Sequence, residues 1–346
     1  MSGAPVRAVR ETFACALDHL FFLRPLLLAP AATMFIMGRR AAAEWSLSSG
    51  EAAAPALATD AHAMRAFAAL VCALLATHVA NQLADRESDR ANGKLPHLAA
   101  GLVTARAAWF IMIASLLSAI VLSGFLETPM RPLVALSMLL GLAYSAPPLS
   151  LKSRAGWDLA ANAVGYGGIA FAIGWGTTAP LATAPLAAAA LPWVLAVGAV
   201  FAATTVVDEP GDRSAGAQTL AVALGPPRTR AVACALLLLS IASSVATRAT
   251  ASLALAAASL PFMLLAWRGP SRRSDHLAFQ VAAGLPALTA AWLAPLFGAA
   301  LVSTALATRA YYRVRFGWGY PHLGAPARAQ SFGLRTTFED SPGSTR

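Results

Sequence analysis

Charge is what this sequence has least of. Only 12% of its 346 residues are charged, against about 25% in an ordinary soluble domain. A soluble globule of this composition lacks the polar surface to cover itself, so a soluble enzyme and a disordered chain are both excluded. Cysteine is nearly absent. Cys15, Cys72 and Cys234 are far apart and form no Cys-x-x-Cys or Cys/His spacing, which excludes a disulfide scaffold and a zinc module and leaves three small buried hydrophobes. Acids are scarcer than bases, 16 against 26. The resulting charge of +10 is spread over loops, without the basic stripe interleaved with aromatics that nucleic acid requires.

What is abundant is apolar sequence. Hydrophobic residues make up 58% and the mean hydropathy is +0.61. Apolar runs near the length needed to cross a bilayer recur at 19–38, 63–82, 106–125, 131–147, 159–177, 187–206, 230–247, 250–267 and 277–301. Lipid demands internally paired backbone, so these nine runs predict helices. The fold class expected is therefore all-α: a polytopic membrane protein of about nine helices. The first 25 residues hold no apolar core with a small-residue cleavage site, and the first span is expected to stay in the chain.

Lys and Arg set the orientation. With the N-terminus inside, the inner loops and N-terminal segment hold fifteen of them and the outer loops five. One segment disagrees. Nine spans place the C-terminal end outside, although it carries six arginines from Arg309 to Arg346. Segments 1–18 and 307–346 are read as a cytoplasmic lead and a basic, disordered tail flanking a membrane domain over 19–306.

Six of the 16 acids fall in two short clusters. Asn81, Asp85 and Asp89 recur at i, i+4, i+8, which puts three oxygen donors on one helix face. Asp208 and Asp212 share a face if their helix continues, but Pro210-Gly211 predicts that it ends or distorts there. Four aspartates near a bilayer need water or cations. Clustered carboxylates with an amide oxygen suit Mg2+ shared with substrate phosphates. On spacing alone, a cation-coupled transporter using the same acids remains open. The two halves also look alike, each an apolar span closing on acids and followed by a basic loop.

Four motifs in order resemble a known family. Arg24-Pro25, Asn81-x-x-x-Asp85-x-x-x-Asp89, Tyr144-Ser-Ala-Pro-Pro-Leu-Ser-Leu-Lys152, and Asp208-x-x-Gly211-Asp212 followed by Thr219-Leu are similar to those of UbiA-type membrane prenyltransferases. The resemblance covers roughly residues 18–300 and implies a helical bundle around a central cavity. It implies transfer of a prenyl group from a prenyl diphosphate to a hydrophobic or aromatic acceptor, with Mg2+ as cofactor. Asn81, Asp85, Asp89, Asp208 and Asp212 would hold the metal. Lys152, Arg24, Lys94 and Arg154 would meet the diphosphate, and Tyr144 would face the reacting carbon. The implied setting is a bacterial inner (plasma) membrane, with the site toward the cytoplasm, no nucleic acid and no obligate protein partner. Leu95 stands where many members with aromatic acceptors have Arg, leaving Lys94 as the substitute. Gln218 stands where many have a basic residue.

Several neighbours carry plainer readings. Asp158 and Asn162 are placed either to cap a helix or to face the cavity. Glu87 and Glu209 read as solvated or ion-paired, and His78 as a packing histidine. Trp157, Trp175 and Trp193 read as interface anchors or cavity lining.

Overall fold

The structure is a computed structural model that describes residues 3–49, 60–87, 89, 96–181 and 183–320. Lys94 and Leu95, and the end of the chain from 321, lie outside the described residues. Helices dominate: α1 (Gly3–Phe22), α2 (Ala29–Ser48), α3 (Ala61–Ala84), the short α4 (Pro96–Ala99), α5 (Ala105–Gly124) and α6 (Arg131–Ser145). Next, α7 joins three segments, Trp157–Asn162, a π-helical Ala163–Ala170 and Phe171–Gly176. Then come α8 (Thr183–Ser214), the short α9 (Leu220–Leu224), α10 (Pro226–Thr247), α11 (Thr250–Arg268), α12 (Arg272–Leu293) and α13 (Pro295–Phe316). Among the described residues the only β pairing is a single bridge, Arg154 with Gln218.

Helix starts are set by short polar residues. Asp60 accepts the Ala63 N–H at 2.6 Å, Thr104 accepts that of Ala107 at 3.2 Å, and Ser271 forms a reciprocal box with Ser274. Among the described residues, seven helical stretches are long and apolar enough to cross a bilayer. Their outward faces are greasy. α5 buries Ala108, Met112 and Ala119 while exposing Trp109, Phe110, Leu117 and Val121. Surfaces of that kind belong against lipid, and the chain is an integral membrane protein.

The largest core packs α2, α3 and α7 around Phe35, Leu70, Phe171 and Trp175. α2 and α7 cross in backbone contact: a Cβ on Gly38 would stand 2.0 Å from the Phe171 carbonyl oxygen, and one on Gly174 2.0 Å from that of Phe35. Trp175 and Trp193 are buried in this core and Trp157 is exposed, so neither buried indole is an interface anchor. Trp175 donates to the Pro180 carbonyl at 3.0 Å.

The ends of the chain depart from the sequence reading. Pro25 and a left-handed Arg24 (φ 55°) break the first expected span, so α2 begins at Ala29 rather than near residue 19. The last expected span, 277–301, divides at Ala294. Pro295 confines the preceding residue to extended backbone, and Ala294 adopts φ −130°, ψ 84°. α13 then folds back along α12, with Gly298 against Ala291, and runs ten residues past the boundary expected at 306. Its start lies near Arg39 and Met64. Its end returns to Asp18, where Arg315 Nη2 pairs at 3.0 Å and the Tyr311 hydroxyl donates at 2.7 Å. α13 thus ends beside α1 and α4, where Arg315 and Tyr311 meet Asp18 and His97, so Arg313 and Arg315 lie at the end of the bundle that carries the first acidic motif.

His97 of α4 closes this clamp. Asp18 can only accept, so Tyr311 donates to it, and His97 Nε2 must then donate to the Tyr311 oxygen, 3.1 Å away. Burial pushes the imidazole down to about 4, which keeps it neutral at pH 7.

Two predictions follow from these ends. In a cysteine-free background, cysteines at Arg213 and Arg313 will react with an impermeant thiol reagent from one side of the membrane and a cysteine at Arg248 from the other. Labelling of position 313 together with 248 would overturn the placement of the end of α13 beside the acidic clusters. A folded-state pKa below the unfolded value means that the unfolded chain binds more protons as pH falls. Thermal stability will therefore drop between about pH 6.5 and pH 4, and His97→Gln will flatten that drop in a melting series.

Candidate active site

The first acidic motif sits where α3 ends. Backbone bonds continue past Ala84, from Asp85 N–H to Asn81 oxygen at 2.9 Å and from Asp89 N–H to Asp85 oxygen at 2.7 Å. Asn81 and Asp85 are thus one turn apart, and Asp89 lies one backbone turn further on, past an Asp85 that leaves helical geometry at φ −91°, ψ 0°. Asn81 Oδ1 accepts from Ser145 Oγ at 3.2 Å and from Lys152 Nζ at 3.0 Å. The same ammonium reaches Asp85 Oδ1 at 2.5 Å. Lys152 thus bridges an amide oxygen and a carboxylate oxygen that converge on one positive charge. Gln82 turns the other way, and its amide donates to the Phe22 carbonyl at 2.7 Å, tying α3 to the end of α1.

The second motif corrects an expectation. α8 does not end at Pro210 but runs through it to Ser214. Proline removes one N–H near the helix end, where few turns remain to disrupt. The stop is Gly216, left-handed at φ 73°. Asp208 and Asp212 therefore share a face of a continuous helix. Glu209 pairs with Arg213 at 2.6 Å, and Glu87 is exposed. Thr219 Oγ1 donates to Asp212 Oδ2 at 3.0 Å and fixes that carboxylate.

One carboxylate ties the two motifs together. Asp158, fully buried, accepts three backbone N–H groups: Gly156 at 2.9 Å, Leu159 at 2.8 Å and Leu220 at 3.0 Å. The first two cap α7. The third belongs to the segment after Asp212. The bridge between Arg154 and Gln218 runs alongside, so the 146–158 loop touches Asp85 through Lys152 and the second motif through Asp158. Gly156 makes the turn possible at φ 84°, a conformation that favours glycine. Arg154 is exposed, and its guanidinium donates to the Pro148 carbonyl at 2.8 Å, bracing the loop.

Behind the carboxylates lies a cavity of about 240 Å3 between α3, α6 and α7, walled by Arg24, His78, Asn81, Tyr144, Asn162 and Tyr166 among others. Along α3 the wall passes from Leu74 through Thr77 and His78 to Asn81, from apolar interior to oxygen donors. Asn162 lines the same cavity as Tyr144, and its amide donates to the Asp158 carbonyl at 2.8 Å. Asn162 thus faces the cavity, while Asp158 caps and ties. Arg24 also faces the cavity rather than the membrane surface. A larger space of about 420 Å3, beside α2 and α13, has no carboxylate in its wall. Among the described residues no three His, Cys, Asp or Glu side chains are grouped closely enough to hold a metal ion by themselves.

The fold and site define a class: an all-α membrane bundle with two acidic helix ends tied by one loop beside an interior cavity. A model of the UbiA prenyltransferase family matches residues 45–283, and the chain belongs to that family. Among solved structures it is similar to a UbiA homologue from Archaeoglobus fulgidus bound to GPP and Mg2+, with TM-score 0.61, 19% identity, and coverage of 82% of this chain and 99% of that one. A UbiA homologue from Aeropyrum pernix K1 matches with TM-score 0.57, 20% identity, and 79% and 97% coverage. A structure of digeranylgeranylglyceryl phosphate synthase matches with TM-score 0.59, 16% identity, and 80% and 98% coverage. At these identities the likeness carries the fold. No curated protein matches by sequence. α13 lies wholly outside the family match.

Asp158→Ala will strand three backbone donors and cost on the order of 3 kcal/mol. It will lower the melting midpoint of the purified protein, and an unchanged midpoint would show that the loop tie is dispensable.

Proposed function

We propose that this protein transfers a prenyl group from a prenyl diphosphate to a hydrophobic or aromatic acceptor within the membrane, with Mg2+. The observation that carries the reading is the Lys152 ammonium seated between Asn81 Oδ1 and Asp85 Oδ1. That pair of hard oxygens already receives a cation, and Asp89, Asp208 and Asp212 supply further oxygens of the same kind. Two helix ends that each offer carboxylates suit Mg2+, which is usually held by one or two carboxylates and completed by substrate phosphates. These five residues would hold it. Bound there, Mg2+ supplies neutralisation of the diphosphate leaving group. The relatives support the choice of donor: UbiA homologues from Archaeoglobus fulgidus were solved with GPP and Mg2+ and with DMAPP and Mg2+.

The chain's own residues do the rest. Lys152 reaches phosphate oxygens from its place on the motif and stabilises the charge that appears as the C–O bond breaks. Arg24 adds positive charge from the cavity wall, and Lys94 belongs to the same phosphate-binding proposal. Arg154 holds the Lys152 loop. The electron pair of the broken bond leaves with the diphosphate, and the allylic carbon becomes cationic. The Tyr144 face stabilises that cation, and the Leu27, Leu74 and Leu140 walls limit capture by water. The acceptor's nucleophilic atom forms the new bond and loses a proton. The proposed setting is a bacterial inner (plasma) membrane, and the positive-inside count supports a site that faces the cytoplasm. The domain that performs the transfer spans residues 19–306, extended by α13 to Phe316.

With purified protein, Mg2+ and labelled geranyl diphosphate, diphosphate will be released. Asp85→Asn combined with Asp208→Asn will lower the rate by about a hundred-fold or more, as will EDTA. Turnover that survives both would refute the reading. Ion-gradient-driven uptake into liposomes without diphosphate release would point to a transporter.

A further inference from the structure

Gly165 lacks a side chain where the cavity has room for one. It lies in the π-helical part of α7, Ala163–Ala170, a helix type frequent at functional sites. Glycine in a helix interior is destabilising relative to alanine, so its presence needs a reason. Left-handed backbone is not that reason, because Gly165 does not have a positive φ. Close packing is not the reason either. Nearby glycines are packed against something: a Cβ on Gly141 would collide with Thr77 Oγ1, and one on Gly167 would stand 2.7 Å from Val194 Cα. A Cβ on Gly165 would meet, outside its own stretch of helix, only Leu140 Cδ2 at 3.5 Å, which is ordinary contact. Gly165 and Leu140 both line the cavity of about 240 Å3. What the missing side chain leaves is therefore cavity space.

The place of that space picks out one part of the donor. On α6, Leu140 precedes Tyr144 by four residues, and on α7, Gly165 follows Asn162 by three. Each step is close to one turn, about 5 Å, away from the acidic helix ends. Tyr144 is the residue proposed to face the allylic carbon, so Gly165 and Leu140 stand one isoprene unit further along the chain. We infer that Gly165 sets the donor length this site selects. The gap beside Leu140 receives the second isoprene unit, and geranyl diphosphate is used in preference to dimethylallyl diphosphate. The inference rests on the prenyl-transfer reading and narrows its donor to one of at least two isoprene units. A dimethylallyl group ends before the gap and leaves its lining atoms without partners. A geranyl tail supplies those partners. Gly165 takes no part in the bonds made and broken, and it acts through volume alone.

The test uses the full chain in nanodiscs with Mg2+, and reads diphosphate release from geranyl and from dimethylallyl diphosphate, with water as the acceptor. The wild type will use the geranyl donor with a kcat/KM about ten-fold higher or more. Gly165→Leu fills the gap and will lower the geranyl-to-dimethylallyl ratio of kcat/KM by about ten-fold. Gly165→Ala, whose added methyl makes only ordinary contact, will move the ratio the same way by less. Leu140→Ala added to Gly165→Leu will restore most of the geranyl preference, because it vacates the space the new leucine takes. Gly168 lies in the same π-helical segment but does not line the cavity, and Gly168→Ala will leave the ratio unchanged. Equal loss on both donors in Gly165→Leu, or a wild type that prefers the dimethylallyl donor, would overturn the inference. If Gly165→Leu shows no cooperative melting transition, Gly165→Ala decides, and a ratio equal to that of the wild type then overturns it. Wild-type protein that releases diphosphate from neither donor would instead overturn the transfer reading, and this inference with it.

Discussion

A single buried carboxylate holds the site together. Asp158 accepts backbone donors from the start of α7 and from the segment after the second aspartate motif, which are remote in sequence and adjacent in space. Its charge is compensated by those three N–H groups and by the helix N-terminus it caps. Because the same loop delivers Lys152 to Asn81 and Asp85, the two acidic helix ends are fixed relative to each other through one loop rather than through a shared cage of ligands. A site of that kind can leave room for a large anionic substrate between its two sides.

The membrane explains why the rest of the molecule carries so little charge. Among the described residues, ion pairs hold helix ends together. Arg230 grips Asp275 through two bonds of 2.7 and 2.8 Å, and Arg315 closes on Asp18. Breaking either pair would strand a charge. The clamp formed by Asp18, His97, Tyr311 and Arg315 joins α1, α4 and α13, and half of it comes from a helix outside the family match.

Much of this was legible in the sequence, and the parts that were not share a cause. The register of Asn81, Asp85 and Asp89 could be read because helical period alone decides which residues share a face. The pairing of Tyr144 with the Lys152 loop came from a motif. Asp158 could not be read as the tie because its partners are backbone N–H groups, one of them 62 residues away, and backbone partners leave no mark in residue identity. Pro210 misled because proline breaks helices in their interiors, and here α8 had only one further turn to make. Ala294-Pro295 lies inside the apolar run 277–301, where composition alone marks no break, and the helix ends there. Arg154 has the charge expected of a phosphate ligand, but its geometry serves the Pro148 carbonyl.

The central claim is that the two acidic helix ends act on one ligand. A double-mutant cycle tests it most directly, measuring Mg2+-dependent binding of a thio analogue of geranyl diphosphate that does not ionise, to wild type, Asp85→Asn, Asp208→Asn and the double variant. One shared ligand predicts a coupling energy of about 1 kcal/mol or more between the two positions. Losses that add to within about 0.5 kcal/mol would mean that the ends bind independently, and the account would be wrong.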